Sequence, residues 1–186
     1  VPVLFSKFVF MKKRIIISGA PGTGKTSIIN KLLLDGEKCH PEMSREIISE
    51  QLAIKGSKTP WQDLDKFTEL VIKKRTEQFH SANSPIEYYD RSVIDSFAYI
   101  LKDNLKIKSH WKSLANKNRY FKKVFLAPPW KEIYKKDAER QEDFETAEQI
   151  HLFLLKAYYM YDYQVIIIPK TNVYERVEFI QKQIEY

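Results

Sequence analysis

Residues 19–26 read Gly-Ala-Pro-Gly-Thr-Gly-Lys-Thr, a complete G-x-x-x-x-G-K-[ST] pattern. A loop that wraps a chain of phosphates must turn several backbone N–H groups inward. Glycine reaches the required conformations at low cost, and Gly19, Gly22 and Gly24 supply them. Such a loop also fixes its surroundings, because it must leave a buried strand and open a helix whose N-terminal dipole faces the anion. Both neighbours are present. Ile15-Ile16-Ile17-Ser18 is apolar and β-branched, as a strand covered on both faces should be. Ile28, Ile29, Leu32 and Leu33 then recur at helical spacing until Asp35-Gly36 ends the run.

The pattern assigns roles residue by residue. Gly19, Ala20, Pro21, Gly22, Thr23, Gly24, Lys25, Thr26 and Ser27 form the expected nucleotide-binding segment. Lys25 sets an ammonium against the β- and γ-phosphates, and the Thr26 hydroxyl is an oxygen ligand for Mg²⁺. ATP and Mg²⁺ are therefore the expected cofactors.

Four further strands are expected, at Lys38–His40, Ile86–Asp90, Lys123–Ala127 and Gln164–Ile168. Pro128-Pro129 and Pro169 stop the last two. Helical patterns lie between them, over 41–52, near 61–80, after Arg91, around 150–161 and from Val173 to Ile184. Alternation of this kind predicts an α/β fold of three layers: a five-stranded, mostly parallel sheet with helices on both faces. Ligands in such sheets bind beyond the carboxyl ends of the strands, so the chemistry should converge there.

Three segments at those ends carry candidate chemistry. Asp90-Arg91-Ser92 closes the third strand, with Asp95 one turn further on. Asp90 can hold a metal-bound water or accept the proton of an attacking hydroxyl, and is a candidate catalytic residue and metal ligand. Arg91 can hold an anionic acceptor through its planar fork, or close an ion pair at the strand end. Glu42 and Arg45 follow the second strand, where Glu42 can orient or deprotonate an acceptor hydroxyl. At i,i+3 the two would share a helical face, and an exposed ion pair explains them as well. Asp137-Ala138-Glu139-Arg140 follows the fourth strand, and Arg140 is the candidate for a lid arginine that meets charge developing on the transferred group.

The chain carries a net charge of +7. Eight basic residues and one acid lie between Lys102 and Lys123, with Trp111, Tyr120 and Phe121 interleaved. A nucleic-acid surface, attraction of a phosphorylated ligand, and a solvated lysine-rich helical face all fit that pattern. The single Cys39 excludes an internal disulfide framework and suits a small side chain packed beside a strand. No apolar run reaches the length of a membrane span, so a cytoplasmic protein without a membrane partner is expected, as a monomer or small homo-oligomer. Residues 1–10 are apolar and precede Met11-Lys12-Lys13-Arg14; they read as an extension outside a single domain over 11–186.

Taken in order, the loop at 19–26, Pro-Glu-Met-Ser-Arg-Glu-Ile-Ile, Trp61-Gln62-Asp63, Tyr-Asp-Arg-Ser-Val-Ile-Asp and Ala-Pro-Pro-Trp-Lys-Glu-Ile-Tyr…Asp-Ala-Glu-Arg resemble the NadR-like AAA ATPase domain family over about residues 12–185. That resemblance implies a nucleoside- or nucleotide-kinase-like P-loop fold and ATP binding, and it carries no particular substrate. The chain departs from motor ATPases in having Asp-Arg where they end the strand in Asp-Glu, and it lacks room for their helical domain. Three functions follow as expectations: a kinase acting on a small nucleoside- or nucleotide-like acceptor, an ATPase or nucleotide-dependent switch without a small acceptor, and a nucleic-acid-linked ATPase.

Overall fold

A computed structural model describes residues 12–134 and 143–184. The extension at 1–10 and Arg140 lie outside the described residues. Five strands form one sheet in the order β2-β3-β1-β4-β5: β1 (Lys13–Gly19), β2 (Cys39–His40), β3 (Ile86–Asp90), β4 (Lys123–Ala127) and β5 (Gln164–Ile167). Every pairing is parallel. The helices are α1 (Lys25–Leu34), α2 (Ser44–Ala53), α3 (Leu64–His80), α4 (Val93–Lys102), α5 (Ser109–Lys117), α6 (Phe144–Met160) and α7 (Val173–Ile184).

The three layers follow from the period of β1. Ile15, Ile16 and Ile17 are fully buried, yet they point alternately to opposite faces. Ile16 packs with Ile94, Phe97, Trp111 and Leu154, from α4, α5 and α6. Ile15 and Ile17 pack with Ile28, Leu32, Val177 and Ile180, from α1 and α7. A smaller group, Ile47, Phe67 and Val71, joins α2 to α3.

The helix starts are written into side chains. Asp63 accepts from the Lys66 amide to open α3, and Asp143 accepts from the Thr146 amide to open α6. Ser92 and Asp95 form a reciprocal capping box on α4. Asp63, quoted in the family resemblance, thus serves as a cap, while its neighbour Trp61 is exposed.

The basic segment contains α5, in keeping with the lysine-rich helical face that was one reading of it. Trp111 is fully buried, with its indole N–H donating to Glu69 at 2.8 Å, and Tyr120 is buried too. Phe121 packs against the core on the other side of the sheet. These aromatics are core, so they present no stacking platform for bases, and the lysines between them occupy the outer face. Cys39 sits on β2 with its Sγ 3.9 Å from the Ile29 carbonyl, and burial pushes its thiol up to about 12. It is an inert packing residue.

Candidate functional site

Register brings the motifs together. Ile17 of β1 is level with Asp90 of β3, and Gly19 is level with Ala127 of β4. The loop, the Asp-Arg pair and the Pro128-Pro129-Trp130 turn therefore leave the sheet at one carboxyl edge. A cavity of about 1030 Å³ opens there.

One lobe belongs to the loop. Gly22 and Gly24 have φ of 80° and 81°, in the left-handed region that disfavours other residues. A Cβ on Gly19 would come within 2.7 Å of the Ala127 carbonyl and Thr23 Oγ1. The Thr23 hydroxyl and the Lys25 ammonium both donate to the Ala20 carbonyl, each at 2.9 Å. Lys25 is buried, and Thr26 and Ser27 are exposed on the rim. Burial, then the Arg91 charge, lowers the Lys25 pKa to about 7, although Asp90, Glu42 and Asp95 pull the other way. Trp130, Ile133, Asn172 and Arg176 complete this lobe.

The second lobe is walled by Ile48, Leu64, Phe67 and Val71, with Arg45, Thr68, Ser96 and Tyr99 contributing polar groups. At its floor stands Glu42, in the turn before α2. Arg75 Nη2 reaches Glu42 Oε1 at 3.1 Å, Arg91 Nε pairs with Glu42 Oε2, and the Ser44 amide donates to Oε1 at 2.9 Å. Burial pushes the Glu42 carboxyl up, but the two guanidiniums and the Ser44 amide outweigh it and hold the pKa near about 2. The expected Glu42–Arg45 pairing on one helical face is corrected here. Helix α2 starts only at Ser44, so Glu42 turns inward to Arg75 and Arg91 while Arg45 lines the wall.

Asp90 and Arg91, at the carboxyl end of β3, line the same cavity. Asp90 is 8% exposed, its Oδ1 has no hydrogen-bond partner among the described residues, and burial raises its pKa against the opposing pull of Lys25. Arg91 has φ of 77°, a left-handed conformation that costs a non-glycine residue about 1 kcal/mol or more. Its own amide donates to the Ile17 carbonyl at 3.0 Å, and its Nη1 lies 3.6 Å from Asp95 Oδ1. That twist carries the side chain back over Glu42 instead of onward along β3.

The donor set suits a hard cation. The Thr26 hydroxyl and the unpartnered Asp90 oxygen are the kind of ligands Mg²⁺ takes, with phosphate oxygens supplying the remainder. Among the described residues no group of three His, Cys, Asp or Glu side chains forms a metal site alone.

Two buried arginines were missed by sequence reasoning. Arg75 follows Leu64, Phe67 and Val71 in the apolar register of α3, and Arg176 falls between Val173 and Val177 in that of α7. A charge in the buried stripe of an amphipathic helix was the available signal.

Solved structures share this fold. A deoxyadenosine kinase from M. mycoides with bound dATP matches with a TM-score of 0.59 at 16% identity, over 94% of this chain and 100% of that one. A NadR protein in complex with NR matches with a TM-score of 0.68 at 18% identity, over 95% of this chain and 52% of that one. A second NadR structure, with NAD and AMP-PNP, matches with a TM-score of 0.66 at 19% identity, over 95% and 50%. The fold is thus that of the kinase-like P-loop proteins, as the sequence resemblance implied. No curated protein sequence matches the chain. No helix among the described residues is long and apolar enough to cross a membrane. A family model described as an AAA domain matches residues 14–176, and the chain belongs to that family.

Proposed function

We propose that the protein is an ATP-dependent kinase that phosphorylates a hydroxyl of a small nucleoside-like acceptor. One observation carries this reading: Glu42, clamped by Arg75 and Arg91, lines the same cavity as the Lys25 loop and Asp90. A hydrolase needs room for water alone. This cavity adds apolar lining from Ile48, Leu64, Phe67 and Val71, a character suited to an organic acceptor.

In this reading the loop amides and Lys25 hold the triphosphate. Thr26 and Asp90 would hold Mg²⁺, which, when bound, neutralises charge on the phosphates. Glu42 stays ionised at every physiological pH, and it accepts the acceptor's O–H so that the oxygen faces the γ-phosphorus. The new O–P bond forms as the bond to the β-phosphate oxygen breaks. The proton leaves the acceptor toward the carboxylates at the lobe junction, and ADP carries away the charge. Arg140, outside the described residues, keeps its proposed role as a lid arginine on the transferring group.

Charge balance narrows the acceptor. Arg75 and Arg91 are opposed by Glu42 and Asp95, and Lys102 is paired with Asp103 at 2.8 Å. With Arg75 and Arg91 engaged, this part of the cavity favours a neutral hydroxyl compound over a second phosphate at Glu42. Arg91 therefore acts mainly by orienting Glu42.

The test is ADP formation from ATP-Mg²⁺ across a panel of nucleosides, nucleoside monophosphates and ribosylated vitamin precursors, with Lys25→Ala as control. Acceptor-dependent ADP from a nucleoside-like compound is expected. Phosphate release that no acceptor alters would replace this reading with the hydrolase or switch.

A further inference from the structure

We infer that Arg176, on α7, is a second cation of the donor site, held against the phosphate-binding loop and neutralised by the polyphosphate of the nucleotide. The inference rests on the loop binding a triphosphate.

Arg176 is 4% exposed and lines the loop lobe of the cavity. Its Nη2 donates to the Thr23 carbonyl at 3.0 Å. Its Nη1 lies so near the next residue that a Cβ on Gly24 would meet it at 2.7 Å. The guanidinium thus lies along the Thr23–Gly24 peptide, and it is 6.0 Å from the Trp130 ring centroid. Glycine at position 24 serves this contact as well as the loop's own turn.

What the arginine lacks is an anion. No carboxylate among the described residues pairs with it, and its Nε is buried without a hydrogen-bond partner. The contrast with Arg75 and Arg91 lies in the carboxylate: each of those also has one unpartnered nitrogen, but both share Glu42. Position adds to the cost. Arg176 lies in the first turns of α7, where the helix dipole opposes a cation, and its amide closes onto the Asn172 carbonyl. Burial alone lowers its pKa, and no neighbouring charge offsets the effect. An unpaired buried guanidinium destabilises a fold unless something else requires it. A chain of phosphates threaded through loop residues 22–26 brings the missing negative charge alongside.

The placement also joins two distant parts of the chain. Thr23 and Arg176 are 153 residues apart, and their bond ties the loop to the last helix. Phosphate binding should therefore tighten α7 against the loop.

The experiment compares the parent with Arg176→Met and Arg176→Lys, each titrated with ATP, AMP and inorganic tripolyphosphate. Unfolding temperature is recorded with and without each ligand. Methionine is expected to weaken ATP and tripolyphosphate by about tenfold or more, to weaken AMP less, and to leave the ligand-free unfolding temperature unchanged or raised. Lysine, which keeps the charge, is expected to retain most of the affinity. Parental tripolyphosphate affinity in Arg176→Met overturns the inference, and so does a loss in Arg176→Lys as large as that with methionine. Loss of ATP affinity with tripolyphosphate unaffected also overturns it, by moving the contact to the base. Should the parent itself bind none of the three, the reading of the loop is overturned and the inference with it.

Discussion

The Tyr158 hydroxyl donates to Asp95 Oδ2 at 2.5 Å, in a position where neither side chain touches solvent. Asp95 also accepts from Ser18 Oγ at 2.5 Å and from the Ser92 amide at 2.8 Å, and it faces Arg91. One carboxylate thus ties α6 and β1 to the residue that orients Glu42. Tyr158→Phe removes a hydrogen bond to a buried charge and should cost about 1.5–3 kcal/mol in urea unfolding. If the tie serves Arg91, kcat should fall further than the affinity for ATP, because the loop is untouched. Equal loss of both would make Tyr158 a purely structural residue.

Glu42 ties stability to acid. Its folded pKa is near about 2, below its ordinary 4.5. A depressed carboxylate contributes stability that is fully present above the unfolded value and is lost as pH falls through the folded one. Over that window the unfolded chain takes up the proton first. The contribution is on the order of 3 kcal/mol. Glu42→Gln should lower stability at neutral pH and flatten its dependence between about 4.5 and 2. Unfolding curves of parent and variant that stay parallel across this range would show that the arginine clamp does not hold in solution.

The sheet and its covering helices were legible because β1 and the helices carry clean periods. Ile15–Ile17 can only be a strand buried on both faces, and Val173, Val177, Ile180 and Ile184 can only be one face of a helix. The bounds of helix α5 were hidden by its lysines. Ser109–Lys117 offers only Trp111 and Ala115 as buried residues, too few to show a period above the charge. The loop was legible because its glycines answer a backbone demand. The partners of Glu42 were not, since Arg75 and Arg91 reach it across the fold from α3 and β3. A sequence places Glu42 beside Arg45, and only the turn before α2 sends it the other way. Whether a charged residue in an apolar stripe finds an anion, as Arg75 does, or none among the described residues, as with Arg176, is decided by topology.

Lys25 should take up a proton when nucleotide binds. Its pKa in the ligand-free site is about 7, chiefly from burial. Phosphates beside it favour the charged form and raise that value. Titration of ATP calorimetrically at pH 8, in buffers of differing ionisation enthalpy, should report net proton uptake, shrinking as pH falls below 7. The same shift bears on folding with the opposite sign to Glu42. A lysine depressed in the folded state weakens stability at low pH, and the penalty is relieved as pH rises from about 7 toward its ordinary 10.5. Lys25→Met should therefore be at least as stable as the parent at pH 7 while losing ATP binding. A buffer-independent binding enthalpy would show that the lysine is already charged.

Asp90 and Arg91 separate phosphoryl transfer from hydrolysis. In the proposed reaction the unpartnered Asp90 oxygen would serve the metal or the leaving proton, and the loop would supply most of the grip on ATP. Asp90→Asn should therefore abolish turnover by about a hundredfold or more and leave ATP affinity within a few-fold. Arg91→Ala releases one side of Glu42 and should lower kcat for a neutral acceptor more than it raises KM, since its charge is already shared with Glu42 and Asp95. A phosphorylated acceptor held by Arg91 would give the reverse, a raised KM with kcat preserved. Any hydrolysis without acceptor at this site should depend on Asp90 and not on the Glu42 clamp. Arg91→Ala should spare that hydrolysis even where it cripples transfer, and equal loss of both activities would mean that water, not an alcohol, is the acceptor for which Glu42 is aligned.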